Sequence, residues 1–483
     1  MRVIFADKTA PVAGSSERVI NLYGVAGPEG GRSRVFLRAM PGTRDWASAP
    51  GVLLRAFAEI GGALYSVSAA VLVRTSDGAS QSTLGAVAAD DARTTLAGYR
   101  DYVGVCSGGV YQLWDGAAQT ITQPAGGRLA TVGSIAYANG YILLADGREV
   151  EWAERGAPGT RNGTYFAEAE GRDDGIVRIV ASGAYLWVLK ERSHEVWSTT
   201  GAAGRRAWDR LPGMVRQRGL RAFGAVCRTP TGLFLIGDDR KAYASAGLEL
   251  AVVSSPQVEE VLATHEPASC FYYEWRGAQF ANVAFGDRPT LVCDLSTGRW
   301  WERAHGPEHE PWPAAFAANC YGEWRLATRT CAIYRMGPGT HDADAALRRT
   351  MVSRTLRPGE RFRVPFLEIE GTWGEGSVTQ PGDNSLRDVY GFPLTDADGR
   401  RLYPYPEPPV GTDDRPAMAW LRTSRDGGQT WGAPKVREIG ARGQRSATCR
   451  FRSLGLFRQF TAEFNISDPV DVTLFGEYEL VAS

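Results

Sequence analysis

Within SRDGGQTW, the residues Ser424, Asp426, Gly428, Thr430 and Trp431 fit the S-x-D-x-G-x-T-W spacing called an Asp box. The chemistry of that pattern is conformational. Short Ser and Asp side chains accept hydrogen bonds from free backbone N–H groups of a turn, glycines admit positive φ, and the indole packs beneath. It shapes a hairpin and supplies no nucleophile or acid. HGPEHE brings together His305, Glu308 and His309, side chains able to ligate a divalent ion, but Gly306-Pro307 prevents the helix that would align them. HDAD, with His341, Asp342 and Asp344, is equally short and polar, so both segments read as solvated turns. The P-loop, the strand-linked G-x-G-x-x-G, G-x-S-x-G and H-E-x-x-H are all missing. No catalytic residue, metal set or cofactor is therefore assigned.

Charge is more informative. The whole chain is neutral, with 54 Lys+Arg against 54 Asp+Glu, so no global field draws nucleic acid or anionic membrane to it. Between Arg422 and Arg458, however, nine basic residues face only Asp426 and Glu438. Arg437, Arg442, Arg445, Arg450, Arg452 and Arg458 form the candidate phosphate- or partner-facing surface. Charged guards on strand edges, or pairing with the acidic stretch that precedes them, would give the same pattern.

The elements that must position these residues are strands. Gly 57 and Pro 26 imply many tight turns, and 14 Trp, 18 Tyr and 18 Phe against 6 Met favour pleated surfaces. Seven scattered cysteines without a CxxC pair read as buried thiols. Alternating runs joined by tight turns begin at Gly61, Tyr102, Ile135, Ile176, Phe223, Cys270 and Cys320, at spacings of about 33 to 50 residues. Each unit cannot bury its hydrophobes alone, and radial stacking solves that. The fold expected is all-β: a β-propeller of about six or seven blades over 51–345 and a C-terminal β-domain over 346–483. Residues 1–50 are expected to join the propeller or an adaptor-facing region. A short helix is expected after Ser255, with Pro256 in its first turn. Residues 376–416, rich in Pro, Gly and Asp, read as a long exposed loop. Neither an export signal nor an apolar run long enough to cross a bilayer is visible, so a soluble protein of a reducing compartment is expected.

Several of these stretches, in order, resemble the tail nozzle proteins of short-tailed bacteriophages, also called packaged-DNA stabilisation proteins. RVINLYG (from Arg18), AMPGT (from Ala39) and GGALYSVSAAVLVRTSDG resemble the family's opening. The run GTYFAEAEGRDDGIVRIVASGAYLWVLKERSHEVWSTTG with RLPGMVRQRG, then SSPQVEEVL and VCDLSTGRWWERA, is similar to its middle. SRDGGQTW, RSLGLFRQF and ISDPVDVTLFG resemble its closing pattern, while the stretch 376–416 departs from it. The resemblance implies a homohexameric ring below the portal and adaptor proteins, assembled in the host bacterial cytoplasm and carried in the virion tail. It implies contacts with tail needle, fibre or spike proteins, retention of packaged double-stranded DNA without sequence specificity, and conduction of that DNA during ejection, with no enzymatic activity. Two other readings of the residues stay open: a carbohydrate-binding or sialidase-like propeller, since sialidases carry Asp boxes, and a protein-interaction propeller.

Overall fold

Runs such as Tyr141–Asp146, Tyr185–Lys190 and Gly232–Ile236 are buried along nearly their whole length instead of on alternate residues. A strand with no polar face must be covered on both sides. In the computed structural model, which describes residues 2–4, 17–27, 35–89, 93–338, 341–343, 345–373, 417–440, 447–468, 470–475 and 477–479, the covering is done by neighbouring blades. Seven antiparallel blades follow one another over 54–86, 95–122, 134–168, 176–216, 226–252, 269–305 and 314–337. The seven sequence repeats fall one to a blade, and the fold is the expected propeller. Trp152, Trp187 and Trp197 lie fully buried between the third, fourth and fifth blades. Losing one such indole costs about 3–5 kcal/mol.

The outermost strands have little to cover them and turn polar, as in Gln81–Ala86 and Thr120–Thr122. The seventh blade has only three strands of its own. Its fourth is Gly42–Ser48, paired antiparallel with Ala332–Gly337, so a segment from the start of the chain closes the ring. The helix Pro256–Thr264 lies between the fifth and sixth blades with Ser255 at its N-cap. The Ser255 side chain makes no capping bond; the Ser254 Oγ instead donates to Glu259 Oε1 at 2.9 Å.

Beyond the propeller stand a two-stranded sheet, in which Arg2–Ile4 pairs antiparallel with Glu477–Glu479, and two larger ones. One runs Arg18–Ile20, Arg349–Val352, Thr461–Ile466, Ala417–Ser424, Lys435–Gly440 and continues the sixth blade through a parallel step from Arg299–His305. The other runs Leu22–Ala26, Val35–Ala39, Val472–Phe475, Phe362–Trp373, Ala447–Phe457. Their inner faces share one core, in which Phe451 of the second sheet meets Phe464 of the first at 6.1 Å between ring centroids. That core runs without a break into Phe271, Tyr273 and Trp301 of the sixth blade. Residues 17–48 are thus divided: three strands serve the sandwich and one closes the ring. The stretch 376–416 lies outside the described residues.

Candidate functional site

The Asp-box residues sit where Ala417–Ser424 turns toward Lys435–Gly440. Ser424 Oγ donates to Asp426 Oδ1 at 2.6 Å and accepts Gly428 N–H at 2.8 Å. Asp426 Oδ1 also accepts the N–H groups of Gln429 at 3.0 Å and Thr430 at 2.9 Å, while its Oδ2 accepts the Thr430 hydroxyl at 2.5 Å. Bonds from Ser424 and Thr430 hold the Asp426 carboxyl far below the ordinary carboxylate range. Gly427 and Gly428 take φ of 79° and 98°, which L side chains adopt poorly. Trp431 is half-buried under the guanidinium of Arg422, 5.6 Å from its ring centroid. Both carboxylate oxygens are consumed within the turn, so the box organises backbone.

Two strand edges beside this turn carry the basic residues. Lys435–Gly440 ends one sheet of the sandwich and Ala447–Phe457 ends the other. Lys435 joins them, its Nζ donating to the carbonyls of Arg452 at 3.1 Å and Ser453 at 2.9 Å. Along Ala447–Phe457 the pleat points Cys449 and Phe451 inward and Arg450 and Arg452 outward. Burial pushes the Cys449 thiol up to about 12, so it is no nucleophile. Arg450 is partly neutralised, 2.7 Å from Glu368, and stacks 4.8 Å from the Phe366 centroid. Arg422 pairs with Glu463 at 2.7 Å. Arg437, Arg452 and Arg458 are exposed, and among the described residues none of them meets a carboxylate. Arg442 and Arg445 lie outside the described residues. What the edge offers is a small set of outward guanidiniums on rigid strands.

HGPEHE is a turn over 306–309 with Glu308 exposed, as expected, but HDAD is not the solvated turn expected of it, and Asp344 lies outside the described residues. Asp342 is 1% exposed. Its Oδ1 accepts Thr43 Oγ1 at 2.7 Å, Arg303 Nη2 at 2.9 Å and Trp312 Nε1 at 3.3 Å, and its Oδ2 lies 2.9 Å from His305 Nδ1. Desolvation raises the Asp342 pKa, yet Arg303 and His305 outweigh it and the carboxyl stays below its ordinary value. Arg303, wholly buried, also donates to Asn21 Oδ1 at 3.0 Å and Pro41 O at 3.2 Å. This polar knot fastens the sixth blade, the closing strand and the sandwich together. No sequence signal marked it: the strand RWWERAH already carries Arg299, Glu302 and His305, so Arg303 does not stand out there as a buried charge. Among the described residues, no group of three His, Cys, Asp or Glu side chains is placed to hold a metal.

Phe223, ahead of the fifth blade, is stacked by Arg178 of the fourth at 4.9 Å and by Arg93, ahead of the second, at 5.9 Å. Arg178 Nη1 also donates to Phe223 O at 3.0 Å. Side chains that belong to non-adjacent parts of the ring therefore meet.

A family model described as bacteriophage P22 Gp10, beta-propeller, matches residues 15–336. The chain belongs to this family. The match spans all seven blades, the closing strand and the N-terminal strands of this Gp10-family protein, whereas the basic edges and the Asp box lie beyond it. No curated protein matches the sequence. Among solved structures, a chain of the crystal structure of a mitotic checkpoint complex aligns with TM-score 0.44 and 14% identity over 64% of this chain and 95% of that one. The structure titled U3-55K aligns with TM-score 0.42 and 9% identity over 62% and 100%. The Neurospora crassa Pan2 WD40 domain does so with TM-score 0.43 and 9% identity over 61% and 95%. Membership of the Gp10 family gives the protein a general role in the phage tail and in stabilisation of the packaged particle.

Proposed function

We propose that this protein is a structural component of a short phage tail, a nozzle in which copies form a ring, six in number, that extends the DNA channel below the portal and adaptor. The ring retains packaged DNA and conducts it on ejection, contacts needle, fibre or spike proteins, and turns over no substrate. The observation that carries this reading is the family match across residues 15–336. Two features of the fold support it. The Arg93–Phe223–Arg178 stack ties side chains of non-adjacent blades together, and on this reading the duplex runs in the space between copies and not through a single propeller. The edge formed by Lys435–Gly440 and Ala447–Phe457 presents Arg437 and Arg452 outward, with exposed Arg458 just past its end, and a ring multiplies such contacts by its copy number.

Phosphate contacts of this kind are sequence-independent and salt-sensitive. Binding of a duplex to the assembled protein should weaken with salt. Replacing Arg437, Arg452 and Arg458 by Gln should lower the slope of log K against log salt by about one for each phosphate that an arginine no longer neutralises. An unchanged slope would remove this edge from the DNA path.

A further inference from the structure

The first two strands of every blade are joined by a two-residue turn: Gly61–Gly62, Arg100–Asp101, Asn139–Gly140, Gly183–Ala184, Pro230–Thr231, Arg276–Gly277 and Tyr321–Gly322. These turns lie on one face of the ring. At the first turn position Arg100, Arg276 and Tyr321 take φ of 50°, 48° and 57°, a region where a bulky side chain is strained and Gly or Asn is at ease. For two of the three the reason is visible. Arg276 reaches Asp471 of the sandwich at 2.5 Å. The Tyr321 hydroxyl donates to Thr75 O at 2.6 Å in the first blade. Arg100 carries the same strain, is exposed, and among the described residues meets only the ring of Tyr99, 5.1 Å away.

Around Arg100 the side chains converge. Tyr99 and Tyr137, from the second and third blades, lie 5.2 Å apart at 39°. Exposed Arg155 lies along the Asn139–Gly140 turn beside them and has no carboxylate partner among the described residues. Burial pushes the Tyr137 phenol up, and Arg100 and Arg155 pull it back, so both guanidiniums act at one spot. We propose that this cluster of Tyr99, Arg100, Tyr137 and Arg155 is a docking point for an acidic segment of a protein partner, whose carboxylate takes the place Asp471 holds for Arg276. Exposed Asp101 and Glu154 flank the arginines and keep the positive spot small, unlike the extended stripe a duplex needs. Tyr and Arg are the side chains that dominate protein–protein contacts. The inference deepens the nozzle reading and rests on its premise that the protein works by contact.

The test is titration of the full-length protein with fluorescein-labelled hexaglutamate, read by fluorescence anisotropy and by hydrogen exchange, with a 20-base-pair duplex as a second arm. R100N removes the charge and suits the left-handed turn, so its melting temperature should equal or exceed that of the natural protein. The double variant R100N/R155Q should bind hexaglutamate at least tenfold more weakly, and the natural protein alone should gain amide protection at 99–102 and 137–141. Duplex affinity should be the same in both. Hexaglutamate that fails to bind, or binds both proteins equally, overturns the proposal, and so does a duplex affinity that falls by the same factor. Ring assembly, which tests the nozzle reading, plays no part in this readout.

Discussion

His309 and His194 show how far environment moves one side chain. Burial, reinforced by Arg348, Arg18 and Arg422, pushes the His309 pKa from 6.5 down to about 3. Its Nε2 lies 2.9 Å from Thr350 Oγ1. His194 is also lowered, by burial first, with its Nδ1 2.8 Å from Arg218 O. Both are neutral when folded at pH 7, while the unfolded chain protonates them below about 6.5. Unfolding then takes up protons, so stability is full above pH 6.5 and falls as the pH drops toward 3, by on the order of 1 kcal/mol per pH unit for His309, with His194 acting in the same direction. Melting temperatures followed from pH 7.5 to 4.5 should decline, and H309Q should flatten that decline. An identical slope would show that His309 titrates normally. Asp342 makes a complementary point. Replacing it with Ala would strand Arg303 without its counter-charge in a dry interior, at a cost of about 3–5 kcal/mol in urea unfolding. A loss below ~1 kcal/mol would mean that water reaches the joint. The Asp box was legible from eight consecutive residues because all its bonds are local. The burial of Asp342 was not, since its partners Thr43 and Arg303 are remote in sequence and HDAD alone reads as a turn.

Among elements, the repeats were legible because each blade uses the same alternation and the same short turns. Their number resolved to seven once every repeat start found its own sheet. Strand pairing over long separations leaves no such trace. Nothing in GTRDWAS announces that Gly42–Ser48 pairs with Ala332–Gly337, or that Arg18–Ile20 lies beside Arg349–Val352. Hydrophobic pattern specifies that a face is buried, not against what. A chain lacking residues 1–48 should lose the closing strand and three strands of the sandwich at once. It should expose Ile333 between the first and seventh blades and Leu37's neighbours in the shared core, and unfold without cooperativity. Limited proteolysis that cuts both the propeller and the sandwich at comparable rates is the expected result. A resistant fragment over 54–337 would show that the propeller stands without its closing strand.

For the whole molecule, a chain of zero net charge with a local basic edge fits the proposed conduit wall, which touches phosphates at a few points and leaves the duplex free to slide. The continuous core between the sixth blade and the sandwich makes the unit stiff, as a wall must be. Family membership fixes the propeller and the general tail role. Subunit number and lumen are properties of several copies together, and one chain's pattern of hydrophobes does not encode them. Electron microscopy of the purified protein, alone and mixed with the portal complex, tests the nozzle assignment most directly. Six-fold rings, formed alone or templated on the portal, are the expected result; a stable monomer that ignores the portal would contradict it.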